Sequence, residues 1–178
     1  LVAAAPRAAG NVMKIGRAIR HLFATHWSTE RRFTPAVLSA IEASIAAVEA
    51  QHAGEIRFVI ETALHPAALW HDLAPRARAL QVFGQWRVWD TAQNNGVLIY
   101  VLLADRDVEI LADRGLAARV PQAEWDEICR EMERHFRSGE FGRASLHGVE
   151  HIGRLLARHF PNADGPRANE LPNQPVLL

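Results

Sequence analysis

The residues with the most capacity for chemistry gather around one stretch, "NNGVLIYVLLADRDVEILADRGL", from Asn94 to Leu116. Its polar ends hold Asn94, Asn95, Asp113 and Arg114; Asp90 stands shortly before it, and Glu55 opens an earlier strand-like run. Carboxylate and amide oxygens converging from short loops are what a hard cation such as Ca²⁺ or Mg²⁺ needs. On that reading Asp113, Asn95 and Glu55 are the ligands, with Asp90, Asn94 and Arg114 around them. The competing reading is structural: Asn95 and Gly96 make a positive-φ turn, and the acids are solvated loop ends. The choice rests on whether the fold brings these residues together.

Other chemistries find less support. "HGVEH", His147 to His151, fits H-x-x-E-H, the inverted zinc-protease signature. At 100° per residue both histidines share a stripe with Arg154 and Arg158, opposite the apolar stripe of Val149, Ile152 and Leu156. A solvated helix face flanked by cations is the better reading. Cys129 is the only cysteine, so no intrachain disulfide forms, and its place near a buried stripe makes it a small apolar residue. Lys14 is the only lysine, which removes a phosphate-binding GK[ST] loop. None of the serines sits in G-x-S-x-G, and the tryptophans are too scattered for a nucleic-acid surface.

The elements that must position the candidate residues can be read from hydrophobic spacing. "FTPAVLSAIEASIAAVEAQHAG" predicts a helix capped by Thr34, started by Pro35, stopped by Gly54, and buried along Val37, Ile41, Ile45 and Val48. "EIRFVIET" alternates as a half-buried strand with Ile56, Phe58 and Ile60 inward. A helical stripe through Leu69, Leu73, Ala77 and Leu80 follows, kinked or broken at Pro75. Val97 to Leu103 have no polar alternation, which predicts a central strand covered on both faces. Asp105, Arg106 and Asp107 form a hairpin turn into "VEILAD". A helix with Trp125, Ile128, Met132 and Phe136 inward comes next, then a last one burying Val149, Ile152, Leu156 and Phe160. A crossover through a helix makes the first two strands parallel. The fold class is therefore α/β: a three-layer α/β/α sandwich with a small mixed central sheet. In that sandwich Glu55, Asn94, Asn95 and Asp113 lie at one end of the sheet, and Asp90 overhangs them.

The 178 residues suit one domain with ordinary globular composition and no net charge. Residues 1–32 nonetheless carry a net charge of +5, which leaves −5 for the remainder. Residues 1–13 read as a disordered leader, and 14–32 as a basic amphipathic helix. That helix is either docked through Ile15, Ile19, Leu22 and Phe23 or laid on an anionic membrane through residues 14–27. No apolar run reaches the length of a membrane span and no signal peptide is visible, so the expectation is a cytoplasmic protein. Residues 33–161 form the α/β domain, and 162–178 an extended tail whose apolar end, Val176 to Leu178, is able to dock.

The same residues carry a family resemblance. "NG" before an apolar strand, then "DR", then "GL" after a third strand, resembles the TPM domain family. "GEI" at 54–56 and "FRSGEFGRASLHGV" at 136–149 resemble further stretches of it, and the likeness runs from Phe33 to Phe160. The resemblance implies an α/β/α sandwich. For some members it also implies divalent-cation binding and acid phosphatase activity, and for others assembly or maintenance work with protein partners near membranes. Carried over, the cleft involves Glu55, Asn94, Asn95 and the turn at Gly115. Family members commonly carry an acid where this chain has Ala117, so the expectation is an interaction or maintenance module with weak or absent phosphatase turnover.

Overall fold

The computed structural model describes residues 14–24, 26–162 and 168–178. The leader expected over residues 1–13 lies outside the described residues. Three helices come first: α1 (Lys14–Phe23), α2 (His26–Arg32) and α3 (Pro35–Glu49). Then follow β1 (Glu55–Glu61), α4 (Pro66–Trp70), α5 (Pro75–Gln85), β2 (Gly96–Leu102) and β3 (Asp107–Ala112). The chain closes with α6 (Arg114–Ala117), α7 (Gln122–Arg137), α8 (Phe141–His159) and β4 (Val176–Leu177).

Every residue of β2 is buried, as a strand without polar side chains requires. It pairs in parallel with β1, from Glu55↔Gly96 to Glu61↔Leu102, and antiparallel with β3, from Val97↔Ala112 to Leu102↔Asp107. The sheet order is β3-β2-β1-β4, so β2 is central as expected. Ile56, Phe58, Ile60, Val97, Ile99 and Val101 face α3, α7 and α8 in the larger core. Val59, Leu98, Tyr100, Leu102 and Leu111 face α5 in the smaller one. The result is a three-layer α/β/α sandwich with a four-stranded mixed sheet.

Several local expectations are refined. The long helix from Thr34 is capped there, with the Thr34 Oγ1 accepting from Val37 N, but it ends at Glu49 rather than at Gly54. Gly54 instead enters β1 where a Cβ would lie 2.3 Å from the Leu156 side chain. The stretch around Pro75 is two helices, separated by a turn with Asp72 at φ 52°. That break resets the helical phase, so Ala79, Val82 and Phe83 are fully buried on α5, while Leu69 and Leu80 of the expected stripe pack on the same core only partly buried. β1 is buried on both faces rather than one. Its outward charges are covered because they are paired: Glu61 Oε2 accepts from Arg78 Nε at 2.8 Å and from the Tyr100 hydroxyl at 2.6 Å. The C-terminal residues do dock, as β4 along the free edge of β1.

The N-terminal segment departs most. Its helices are separate, and α1 docks by its polar side while Ile19, Leu22 and Phe23 stay exposed. Asp105, in the β2–β3 turn, accepts from Arg17 Nε at 2.8 Å and Arg20 Nη2 at 3.3 Å, and lies 3.1 Å from His21 Nε2. His21 Nδ1 accepts from Leu64 N, and Arg17 also donates to the carbonyl of Leu73. Burial alone would raise the Asp105 carboxyl, but the hydrogen bonds from His21 and Arg17 outweigh it and hold the pKa near about 2. A depressed carboxylate contributes stability above its unfolded value, and that stability is lost as pH falls from about 4 toward 2. Asp105→Ala strands three basic groups at once and is expected to weaken α1 docking by about 3 kcal/mol. Hydrogen exchange should then accelerate across 14–23 with β2 unchanged; unaltered protection of α1 would show that other contacts hold it.

Candidate functional site

The register sets the candidate residues in one row. Glu55 pairs with Gly96, and Asp113 N donates to the Gly96 carbonyl at 2.9 Å, so Glu55, Gly96 and Asp113 lie side by side across three strands. Asn95 is fully buried at the foot of β2; its Nδ2 donates to the Ala53 carbonyl at 2.7 Å and its N–H to Thr91 Oγ1 at 3.1 Å. Asp113 starts α6, its Oδ1 accepting from Arg114 N at 2.7 Å. Arg114 Nε donates to Asn94 Oδ1 at 3.0 Å, so its partner here is an amide rather than Asp113 or Asp90. Asp90 stays outside the row, exposed, 3.9 Å from Arg87.

The turn before β2 works differently from the expected one. The positive φ belongs to Asn94, at 53°, and Gly96 has no such requirement. Gly96 is there for close approach, since a Cβ would come within 1.9 Å of the Val88 carbonyl oxygen. Gly115 likewise sits against the Gln93 and Asn94 carbonyls, where a Cβ would come within 2.8 and 2.6 Å. Backbone packed on backbone welds the start of β2 to the start of α6.

The C-terminal segment closes the other side of the row. Leu171 is buried, and its N–H donates to Glu55 Oε2 at 3.1 Å, while Glu170 Oε2 accepts from Ala92 N at 2.8 Å. Arg57, stacked 4.8 Å from the Trp86 ring, donates to the carbonyls of Pro172 and Gln174. The tail then runs into β4, where Leu178 N donates to the Ile60 carbonyl and Thr62 N to the Leu178 carbonyl. Burial raises the Glu55 carboxyl pKa, against the lowering effect of those tail N–H groups.

Glu49, at the end of α3, escaped sequence reasoning because it reads as an ordinary helix acid. Its Oε1 accepts from Ile56 N at 2.8 Å. Burial pushes its pKa up to about 8, the Ile56 bond opposes that, and the nearby Glu55 adds to the rise. The neighbouring His52 is held neutral, its pKa lowered to about 4 by burial, with Nδ1 accepting from Gly54 N. No periodicity signals either residue; only the tertiary approach of α3 to β1 does.

The fit of this row to a divalent cation can be tested atom by atom. Asn95 Oδ1 and Asp113 Oδ2 are buried with no hydrogen-bond partner. Strand alternation, however, puts Asn95 with Val97 on the α8 side and Asp113 with Leu111 on the α5 side. Glu55 is engaged by Leu171. Among the described residues no group of three or more His, Cys, Asp or Glu could hold a metal ion. Ca²⁺ takes six to eight oxygens, so the residues present do not make a preformed multi-carboxylate centre. The "HGVEH" histidines do not supply one either: the rings of His147 and His151 lie tilted with centroids 3.9 Å apart, and His135 of α7 approaches His147 at 5.9 Å. They are half-buried rather than fully solvated.

An α/β/α sandwich whose polar strand ends are joined by "NNG" and "DRG" turns defines a recognisable class of small domain, and comparison with known proteins agrees. Residues 29–155 match the family described as TPM domain. The chain belongs to the TPM domain family. It is similar to the BA42 protein of the psychrophilic bacterium Bizionia argentinensis, with 30% identity and a TM-score of 0.71 over 82% of this chain and 94% of that one. It also shares its fold with the N-terminal domain of a protein from P. gingivalis, at 20% identity and a TM-score of 0.58, covering 83% of this chain and 88% of that one. No curated protein matches the chain.

The Glu49 proton has a measurable consequence. Between pH 4.5 and about 8 the folded chain keeps a proton that the unfolded chain releases, so stability from this group falls as pH rises through that window. Glu49→Gln retains the acceptor for Ile56 N and removes the titration. Urea unfolding of the variant should therefore lose a slope of up to about 1.4 kcal/mol per pH unit that the native chain shows. An unchanged slope would mean that Glu49 is ionised in the folded state.

Proposed function

We propose that this chain is an interaction or maintenance module, in which the polar row at the strand ends joins the tail and turns to the sheet instead of forming a catalytic centre. The observation that carries this reading is the engagement of Glu55 Oε2 by Leu171 N. The carboxylate best placed to complete a metal site serves a chain joint. Arg114, on Asn94, and the absence of an acid at Ala117 point the same way. Any Ca²⁺ or Mg²⁺ that the chain takes would rest on Asp113 Oδ2, a carboxylate oxygen of the row without a donor, because Asn95 Oδ1 lies toward the other face of the sheet. One carboxylate gives weak affinity, of the order of millimolar for Ca²⁺.

The second reading, a divalent-metal-dependent acid phosphatase, draws its support from the unpartnered Asp113 Oδ2. Phosphoryl transfer needs concentrated positive charge aimed at the phosphate, and a cation held by one carboxylate supplies little of it. Cys129, its thiol pushed up to about 12 by burial, is an unreactive packing residue and offers the rival no nucleophile.

The test is hydrolysis of an aryl phosphate from pH 5 to 8 with Ca²⁺, Mg²⁺ or Mn²⁺, comparing the native chain with Asp113→Ala. The expected outcome is no metal-dependent turnover above the protein-free blank in either. Turnover that requires the metal and disappears in the variant would replace the interaction module by the phosphatase.

A further inference from the structure

The end of the sheet opposite the candidate cleft carries a feature that the proposed function does not use. α1 crosses the C-terminal ends of β1 and β2, bonded to Asp105 and Leu64. With its polar side held there, Ile19 is left 51% exposed, Leu22 76% and Phe23 75%. Beside it, α4 leaves Trp70 88% exposed, and Arg17 of α1 reaches the Leu73 carbonyl and Asp72 just beyond that helix. We propose that Ile19, Leu22, Phe23 and Trp70 form a patch that rests on the polar–apolar boundary of a lipid bilayer.

Charge and size decide the occupant. Neither Lys14–Phe23 nor Pro66–Trp70 contains an acidic residue, so no carboxylate on either helix repels a lipid surface. The cations Arg17 and Arg20 are drawn onto Asp105, so attraction to anionic headgroups is not the main force. An apolar helix face lying parallel to a membrane, with the polar face turned to the protein, is the arrangement of interfacial helices, and Trp favours that depth. At those exposures, four side chains of at most roughly 150–250 Å² each present about 440–730 Å², short of the roughly 800 Å² per partner of a stable dimer. No helix among the described residues is long and apolar enough to cross a membrane, so the contact is peripheral. Strands of seven residues then hold the Glu55–Asp113 row roughly 20 Å from the lipid, facing away from it. Binding is thus apolar and insensitive to salt, unlike the charge-driven contact that a basic N-terminal helix suggests.

Vesicle flotation of the full chain tests this. Phosphatidylcholine vesicles alone should carry the native protein up the gradient, and raising NaCl to about 1 M, where the screening length is about 3 Å, should leave the bound fraction unchanged. Leu22→Asp with Phe23→Asp should reduce binding at least tenfold, and Trp70→Asp severalfold. These positions are exposed, so both variants should keep the native unfolding midpoint. Four results would overturn the proposal: no flotation with phosphatidylcholine; flotation only with phosphatidylglycerol and abolished by salt; equal flotation of the double variant; or a concentration-dependent dimer, broken by that variant, without vesicle binding.

Discussion

The structure depends on one constraint: β2 has no polar face. A strand buried from Gly96 to Leu102 has to be central and has to carry helices above and below it. Parallel pairing to β1 follows from the crossover through α4 and α5, and antiparallel pairing to β3 from the short turn at Asp105. What remains is the far edge of β1, which would expose a row of unpaired N–H and C=O groups. Two residues of β4, with the tail leading to them, cover that edge.

Covering it uses polar groups that could otherwise have served a ligand. Glu55 accepts a tail N–H, Arg57 donates to tail carbonyls, and Glu170 caps the loop before β2. At the other end of the sheet Asp105 plays the corresponding part, gathering Arg17, Arg20 and His21 to dock α1. In both places a buried carboxylate is the joint between the sandwich and a terminal segment. Buried charges are stable only when paired, so each joint fixes the segment's position as well as its attachment. Most polar groups near the strand ends are thereby committed to architecture; Asn95 Oδ1, Asp113 Oδ2 and His52 Nε2 are among the buried atoms that keep no partner.

Much of the sandwich was legible in the sequence because periodicity reports burial directly. Ile41 and Ile45, Trp125 to Phe136, and Val149 to Leu156 face the core that their spacing predicts. The nearness of Glu55, the Asn95–Gly96 turn and Asp113 was legible too, since parallel β1–β2 and antiparallel β2–β3 pairing together align those strand ends. What was not legible depends on pairing between distant residues. The face of α1 that docks is decided by Asp105, about 85 residues away, against the usual rule that the apolar side is buried. Burial of Arg57 likewise waits on carbonyls of the tail, more than a hundred positions later. Glu49 and Asn94 show the same limit on a smaller scale, one in its raised pKa and the other in its φ.

In the proposed module Glu55 serves the tail and not a metal. A crystal grown in saturating Ca²⁺ examines it directly, through the anomalous signal of the ion and the position of residues 168–174. Glu55 is expected to keep its bond to Leu171 N, with any ion confined to the neighbourhood of Asp113. An ion ligated by Glu55 and Asp113 together, with Leu171 displaced from Glu55, would contradict the description and restore a metal centre at the strand ends.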